Sequence, residues 1–139
     1  MNRSVLSTIA ATSVLLGAAA VPSTAAASTV QAPAPMARVN MHTLICYETE
    51  DWGAYGDELY LVVNGTRVWS SADSVDCDHD SPARVPVNRK ADTGDEVFLY
   101  DADSPDADDL LGSDVIEGSS GTLVFNNDGA LYNLDYGPA

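Results

Sequence analysis

Basic residues are scarce in this chain: 6 Lys and Arg stand against 21 Asp and Glu in 139 residues, a net charge of −15. That balance excludes nucleic acid as a partner, since binding it requires Lys and Arg to neutralise phosphates. It equally excludes unassisted adhesion to an anionic membrane. Cysteine and histidine number only two each, without the closely spaced pattern that holds zinc. No stretch has the sustained 3.6-residue period of an amphipathic helix, and no internal repeat is present. Ser70, Ser71 and Ser74 precede His79, but nothing around them resembles a nucleophile elbow. The apolar run from Val5 to Val21 is broken by Ser, Thr and Gly and is followed by Pro22, which argues against a membrane span.

What that run does resemble is a secretory signal. Arg3 supplies the positive region and Ala25-Ala26-Ala27 a small-residue cleavage site, so residues 1–27 are expected to be removed and the protein to be secreted and extracellular. Residues 28–40 are rich in Ala and Pro and read as a short linker. About 100 residues remain, 41–139, enough for one small domain. Without Arg3 the balance is 5 basic against 21 acidic residues, a net charge of −16. Cys46 and Cys77 fall in the exported part, where disulfides persist. One bridge between them is expected, and closing a loop of about 31 residues contributes roughly 3–4 kcal/mol.

The mature region alternates in the two-residue period of strands. Met41–Glu48 places Leu44 and Cys46 on one face, with Ile45 and Tyr47 on the other. Glu58–Asn64 sets Leu59, Leu61 and Val63 against Tyr60 and Val62. Asn64-Gly65 is a hairpin signal, and Thr66–Trp69 is the returning strand. Val85–Asn88 contains Pro86 and so belongs at an edge. Glu96–Tyr100 follows, and Thr122–Phe125 and Ala130–Tyr136 flank a second hairpin signal, Asn-Asn-Asp-Gly. In the last strand Ala130, Tyr132, Leu134 and Tyr136 share a face. Seven or eight short strands with turns between them predict an all-β antiparallel sandwich.

Two loops concentrate carboxylates. Asp101-Ala-Asp103-Ser-Pro-Asp106-Ala-Asp108-Asp109 holds five in nine residues, directly after Val97-Phe-Leu-Tyr100. Two carboxylates about 4 Å apart repel by roughly 1 kcal/mol in water and about 4 kcal/mol at an effective dielectric near 20. A hard cation taking oxygen ligands would offset that repulsion. The second loop, Glu48 to Tyr60, carries Asp51 and Asp57, and loops of a sandwich cluster at its ends. An Asp, five residues, then an Asp opening a strand resembles the first calcium-binding loop of C2 domains. Asp-x-Asp, five residues, then Asp, two aliphatics and Gly is similar to their third loop.

The resemblance covers roughly Met41 to Tyr136 and implies a C2-like sandwich of about 7–8 strands that binds calcium between loops at one edge. Asp51, Asp57, Asp101, Asp103 and Asp109 match the family's five aspartate ligands, and Asp106 falls where some members place a further oxygen ligand. The chain departs from the family in having Asp57-Glu-Leu-Tyr60 where Asp-Pro-Tyr-Val is usual, and in being shorter. An EF-hand beginning at Asp101 is excluded, because Pro105, Asp106 and Gly112 stand where an acidic or Asn ligand, Gly and Glu are needed. Asp73, Asp76, Asp78, His79 and Asp80 read as a solvated loop. Trp52 and Tyr55 are candidates for contact with anionic lipid or an extracellular protein, and equally for covering the core. Arg84, Arg89 and Lys90 read as a solvated strand face. A domain this small lacks the cleft a glycosidase needs, and no enzymatic activity is expected. The alternative to a calcium module is a metal-independent extracellular interaction protein, an inhibitor or adhesion module.

Overall fold

The computed structural model describes residues 36–50, 56–103 and 106–139. Among these, the chain forms β1 (Arg38–Glu48), β2 (Leu59–Val63), β3 (Thr66–Ser70), β4 (Ala83–Asp92), β5 (Glu96–Asp101), β6 (Asp109–Val115), β7 (Gly121–Phe125) and β8 (Leu131–Pro138). They build two antiparallel four-stranded sheets, ordered β4-β1-β8-β7 and β3-β2-β5-β6. One core lies between them, drawing Val39, Met41, Leu44, Leu123, Phe125 and Leu134 from the first sheet and Leu59, Leu61, Val97, Leu99 and Leu111 from the second. The all-β sandwich expected from the alternation is the fold observed. The signal, residues 1–27, and most of the linker lie outside the described residues.

Local chemistry explains the elements. Asn64 and Gly65 both adopt left-handed backbone, with φ of 47° and 79°, as the tight β2–β3 hairpin turn requires. Asp128 and Gly129, at 54° and 88°, do the same between β7 and β8. β1 starts at Arg38, three residues before the expected strand. Its register shifts between Met41 and Thr43, so the inward series passes from Val39 and Met41 to Leu44 and Cys46 while His42 turns out to solvent. A bulge of this kind preserves burial on both sides of one extra residue. Pro86 sits in β4, an edge strand as expected, but β4 is longer than its short apolar core suggested. Its inward residues Val87 and Ala91 are buried while Arg84, Arg89 and Lys90 are exposed. β6 reads poorly as a strand because Gly112 interrupts it. That glycine has φ of 147°, and a Cβ there would meet the Phe125 Cα at 2.8 Å, so it permits β6 and β7 to approach closely.

The chain reverses at every connection, so the strand ends flanking 49–58, 71–82, 102–108 and 126–130 all lie at one end of the sandwich. Most of the 21 acidic residues fall on these connections or on the strand ends beside them. Cys46, fully buried in β1, is disulfide-bonded to Cys77, with a sequence separation of 31 and a Cα–Cα distance of 6.0 Å. The bridge fastens connection 71–82 to the first sheet. Replacing both cysteines by serine is expected to lower unfolding free energy by about 3–4 kcal/mol, read from urea denaturation against the oxidised parent.

Candidate metal centre

The core-facing series of several strands runs on into carboxylates at this end. In β5 the inward residues are Val97, Leu99 and then Asp101, which is 1% exposed. Ahead of β2 the same face carries Asp57, fully buried, and then Leu59 and Leu61. Register sets Asp101 opposite Leu59 on one side and opposite Asp109 on the other. Asp109 in turn shares the face of the buried Leu111. Alternation alone therefore stacks carboxylates on top of the apolar core.

Burying these groups is costly unless hydrogen bonds or opposite charges meet them. The Asp57 backbone pairs with Val75 in both directions, at 3.0 and 2.8 Å. Its Oδ2 accepts from the Tyr132 hydroxyl at 2.5 Å and from the Glu50 amide at 3.2 Å. Asp101 Oδ1 accepts from the Glu58 amide at 2.5 Å. Burial nevertheless pushes Asp101 up to about 6, and the charge of Asp57 adds to the rise, while the amides of Glu58 and Ala102 oppose it. Burial also raises the Tyr132 hydroxyl far above the usual phenol range, with Asp57 reinforcing the effect.

A third acid joins from the connection after β1. Glu50 rises to about 7, first through burial, then through the charges of Asp109, Asp128, Asp57 and Asp101. Carboxylate oxygens of Glu50, Asp109 and Asp128 lie within 4.8 Å of one another, and Glu50 Oε2 is buried without a hydrogen-bond partner among the described residues. An all-carboxylate set around an orphaned buried oxygen suits a hard, oxygen-seeking cation such as calcium and does not suit zinc. Beside it, the Tyr60 hydroxyl donates to Asp108 Oδ2 at 2.6 Å, and the Arg67 guanidinium lies 3.7 Å from the Tyr60 ring centroid. Burial and Asp108 push Tyr60 up to about 12.

Of the residues singled out in the sequence, Asp109 joins Glu50 and Asp128 in the close carboxylate group, whereas Asp57 and Asp101 lie outside that group and act on Glu50 through their charge. Asp103 is half-buried and its charge reaches Asp101. Asp106 lies exposed on its loop. Asp51, Trp52 and Tyr55 lie outside the described residues. Asp73, Asp76, Asp78 and Asp80 are exposed, as a solvated loop should be, and Asp78 Oδ1 accepts the amides of Asp80 and Ser81 to shape that turn. His79 is exposed and stands 3.8 Å from Glu48.

Glu50 and Asp128 were missed. Glu50 had no motif to mark it, and Asp128 read only as a turn residue. The signal available for Asp128 was topological: its hairpin must reverse at the same end as the acidic loops.

No family model matches the chain, and no curated protein matches it. A solved structure described as "Structure of a C2 domain" is similar to 73% of this chain, covering 96% of its own length, with a TM-score of 0.47 and 13% sequence identity.

The raised carboxyls fix a pH dependence. Glu50 and Asp101 hold protons in the folded state at pH values where the unfolded chain has lost them, so unfolding free energy falls as pH rises. For Asp101 the window runs from its ordinary 3.8 to about 6, and for Glu50 from 4.5 to about 7. With divalent ions chelated, the melting temperature is expected to decline across these windows and to level off above them. A melt that climbs between pH 5 and pH 7 would contradict the assignment.

Proposed function

We propose that this protein is an exported, non-catalytic calcium-binding module. The observation that carries the reading is the convergence of Glu50, Asp57, Asp101, Asp109 and Asp128 at one end of the sandwich, with two carboxylates buried over the core. Such a group is poorly stable as an assembly of free anions at neutral pH, and calcium supplies what it lacks: positive charge and a demand for six to eight oxygen ligands. Asp51 and Asp103 are the further aspartates that the C2 resemblance adds to the set. Export is supported by the leader-like residues 1–27 and by the Cys46–Cys77 disulfide, which suits an oxidising compartment.

Extracellular modules hold calcium at about 0.1–1 mM, so the ion's role in this reading is structural: it orders the loops and removes negative charge from the acidic end. Anionic lipid or an extracellular protein is the partner class such an end would then meet, and co-sedimentation with anionic vesicles in calcium against chelator tests the lipid branch.

Thermal melts test the ion itself. At about 5 mM calcium the stabilisation is expected to be roughly 1–2 kcal/mol, or about 5–10 °C in melting temperature for a domain of this size. Asp101→Asn removes one buried charge and keeps the oxygen facing the Glu58 amide. It is expected to raise the metal-free melt at pH 7.5 and to abolish most of the calcium increment. An unchanged melt of the parent in millimolar calcium would instead favour the metal-independent interaction protein.

A further inference from the structure

We infer that Tyr132 is a positioning residue for the carboxylate site, holding Asp57 and, through it, the Glu50 segment in place from inside the core. The inference rests on the calcium reading above. Tyr132 is fully buried in β8, between Cys46 of β1 and Phe125 of β7 in register. Its ring fills core volume that a phenylalanine would fill equally well, without a hydroxyl to desolvate. The hydroxyl crosses from the first sheet to meet Asp57, 75 residues away in sequence, at 2.5 Å. The Asp57 backbone is already fixed by its two bonds to Val75, so the tyrosine acts on the side chain alone, setting where the carboxylate points.

The same oxygen, Asp57 Oδ2, also takes the Glu50 amide at 3.2 Å. One hydroxyl thus orients one site carboxylate directly and anchors the chain segment bearing a second. Outer partners that orient ligand carboxylates commonly govern metal affinity by about 10- to 100-fold when removed.

β8 contains its own control. Tyr136 is also a buried tyrosine, but its hydroxyl donates to the Glu117 carbonyl at 2.7 Å and accepts the Glu117 amide at 3.2 Å, at the opposite end of the sandwich. Tyr132→Phe and Tyr136→Phe make the same chemical change four residues apart in one strand.

The test compares the parent and both variants by calcium titration calorimetry, by terbium luminescence sensitised through the aromatic residues, and by melts in chelator. Tyr132→Phe is expected to weaken calcium binding about 10- to 100-fold and to lower terbium emission at saturation. Tyr136→Phe should lower the chelator melt while leaving the calcium Kd unchanged. Equal Kd values for Tyr132→Phe and parent, with only the melt lowered, overturn the positioning role and leave the calcium reading standing. A parent that binds neither ion overturns both. If Tyr132→Phe does not fold, parent protein labelled with fluorotyrosine replaces it. The fluorine NMR resonance of Tyr132, assigned as the one displaced in chelator by Asp57→Asn and retained in Tyr60→Phe and Tyr136→Phe, must then shift along the calcium binding curve of the parent, and its failure to move overturns the inference.

Discussion

Two aspartates, Asp57 and Asp101, stand where the core ought to continue, and the rest of this end of the molecule is arranged around them. Each continues the inward series of a strand by one position: Asp57 ahead of Leu59 and Leu61 of β2, and Asp101 after Val97 and Leu99 of β5. An apolar residue in either place would extend the core by a layer. A carboxylate there must instead be met by donors, and the chain provides them from four directions: the Glu58, Ala102 and Glu50 amides and the Tyr132 hydroxyl. The raised proton affinity of Asp101 shows that its donors offset burial only in part.

That constraint reaches into the architecture. For Asp57 to be buried at a strand entrance, connection 71–82 must cover it, which it does through the paired Val75 backbone. The Cys46–Cys77 bridge holds that connection against the first sheet two residues further along. Gly56, with φ of 58°, lets the chain enter this arrangement, since a Cβ there would meet the Val75 carbonyl oxygen at 2.5 Å. The disulfide, the bridge and the glycine all serve one short stretch of backbone. Their effect is to fix carboxylates in position before any ligand arrives, which lowers the ordering cost of binding one.

Much of this was legible in the sequence, for a physical reason. Strand alternation is a local property, so Val97-x-Leu99-x-Asp101 and Asp57-x-Leu59-x-Leu61 announce both the strands and the placing of the acids at their ends. The Asn64-Gly65 and Asp128-Gly129 turns are likewise legible, because left-handed backbone selects those residues. Other features depend on contacts between distant segments. The shift in β1 at His42 is fixed by two neighbouring strands at once. The full length of β4 is set by pairing with β1 and not by its own apolar content. β6 holds a glycine because β7 passes close by, not because its own residues favour a break. Glu50 and Asp128 belong to the acidic group for the same kind of reason: they are ordinary loop residues until the sandwich folds and brings its reversals to a common end.

Three agents can offset a concentration of negative charge: protons, hydrogen bonds and cations. Protons serve below the raised values of Glu50 and Asp101, about 7 and 6, and their contribution fades toward neutral pH. Hydrogen bonds are already placed on Asp57 and Asp101, whereas Glu50 Oε2 is buried with none among the described residues. The chain's own cations are distributed elsewhere: Arg84, Arg89 and Lys90 are exposed along β4, Arg38 pairs with Asp92, and Arg67 lies over the Tyr60 ring. Arg84 stands at the start of β4 beside connection 71–82 but is exposed, and Arg67 acts near the acidic loops through the Tyr60 ring and Asp108. A sequence selected for stability alone would place a lysine or arginine among these acids, or leucine at 57 and 101. Keeping carboxylates buried and close together makes sense where an external cation completes the site.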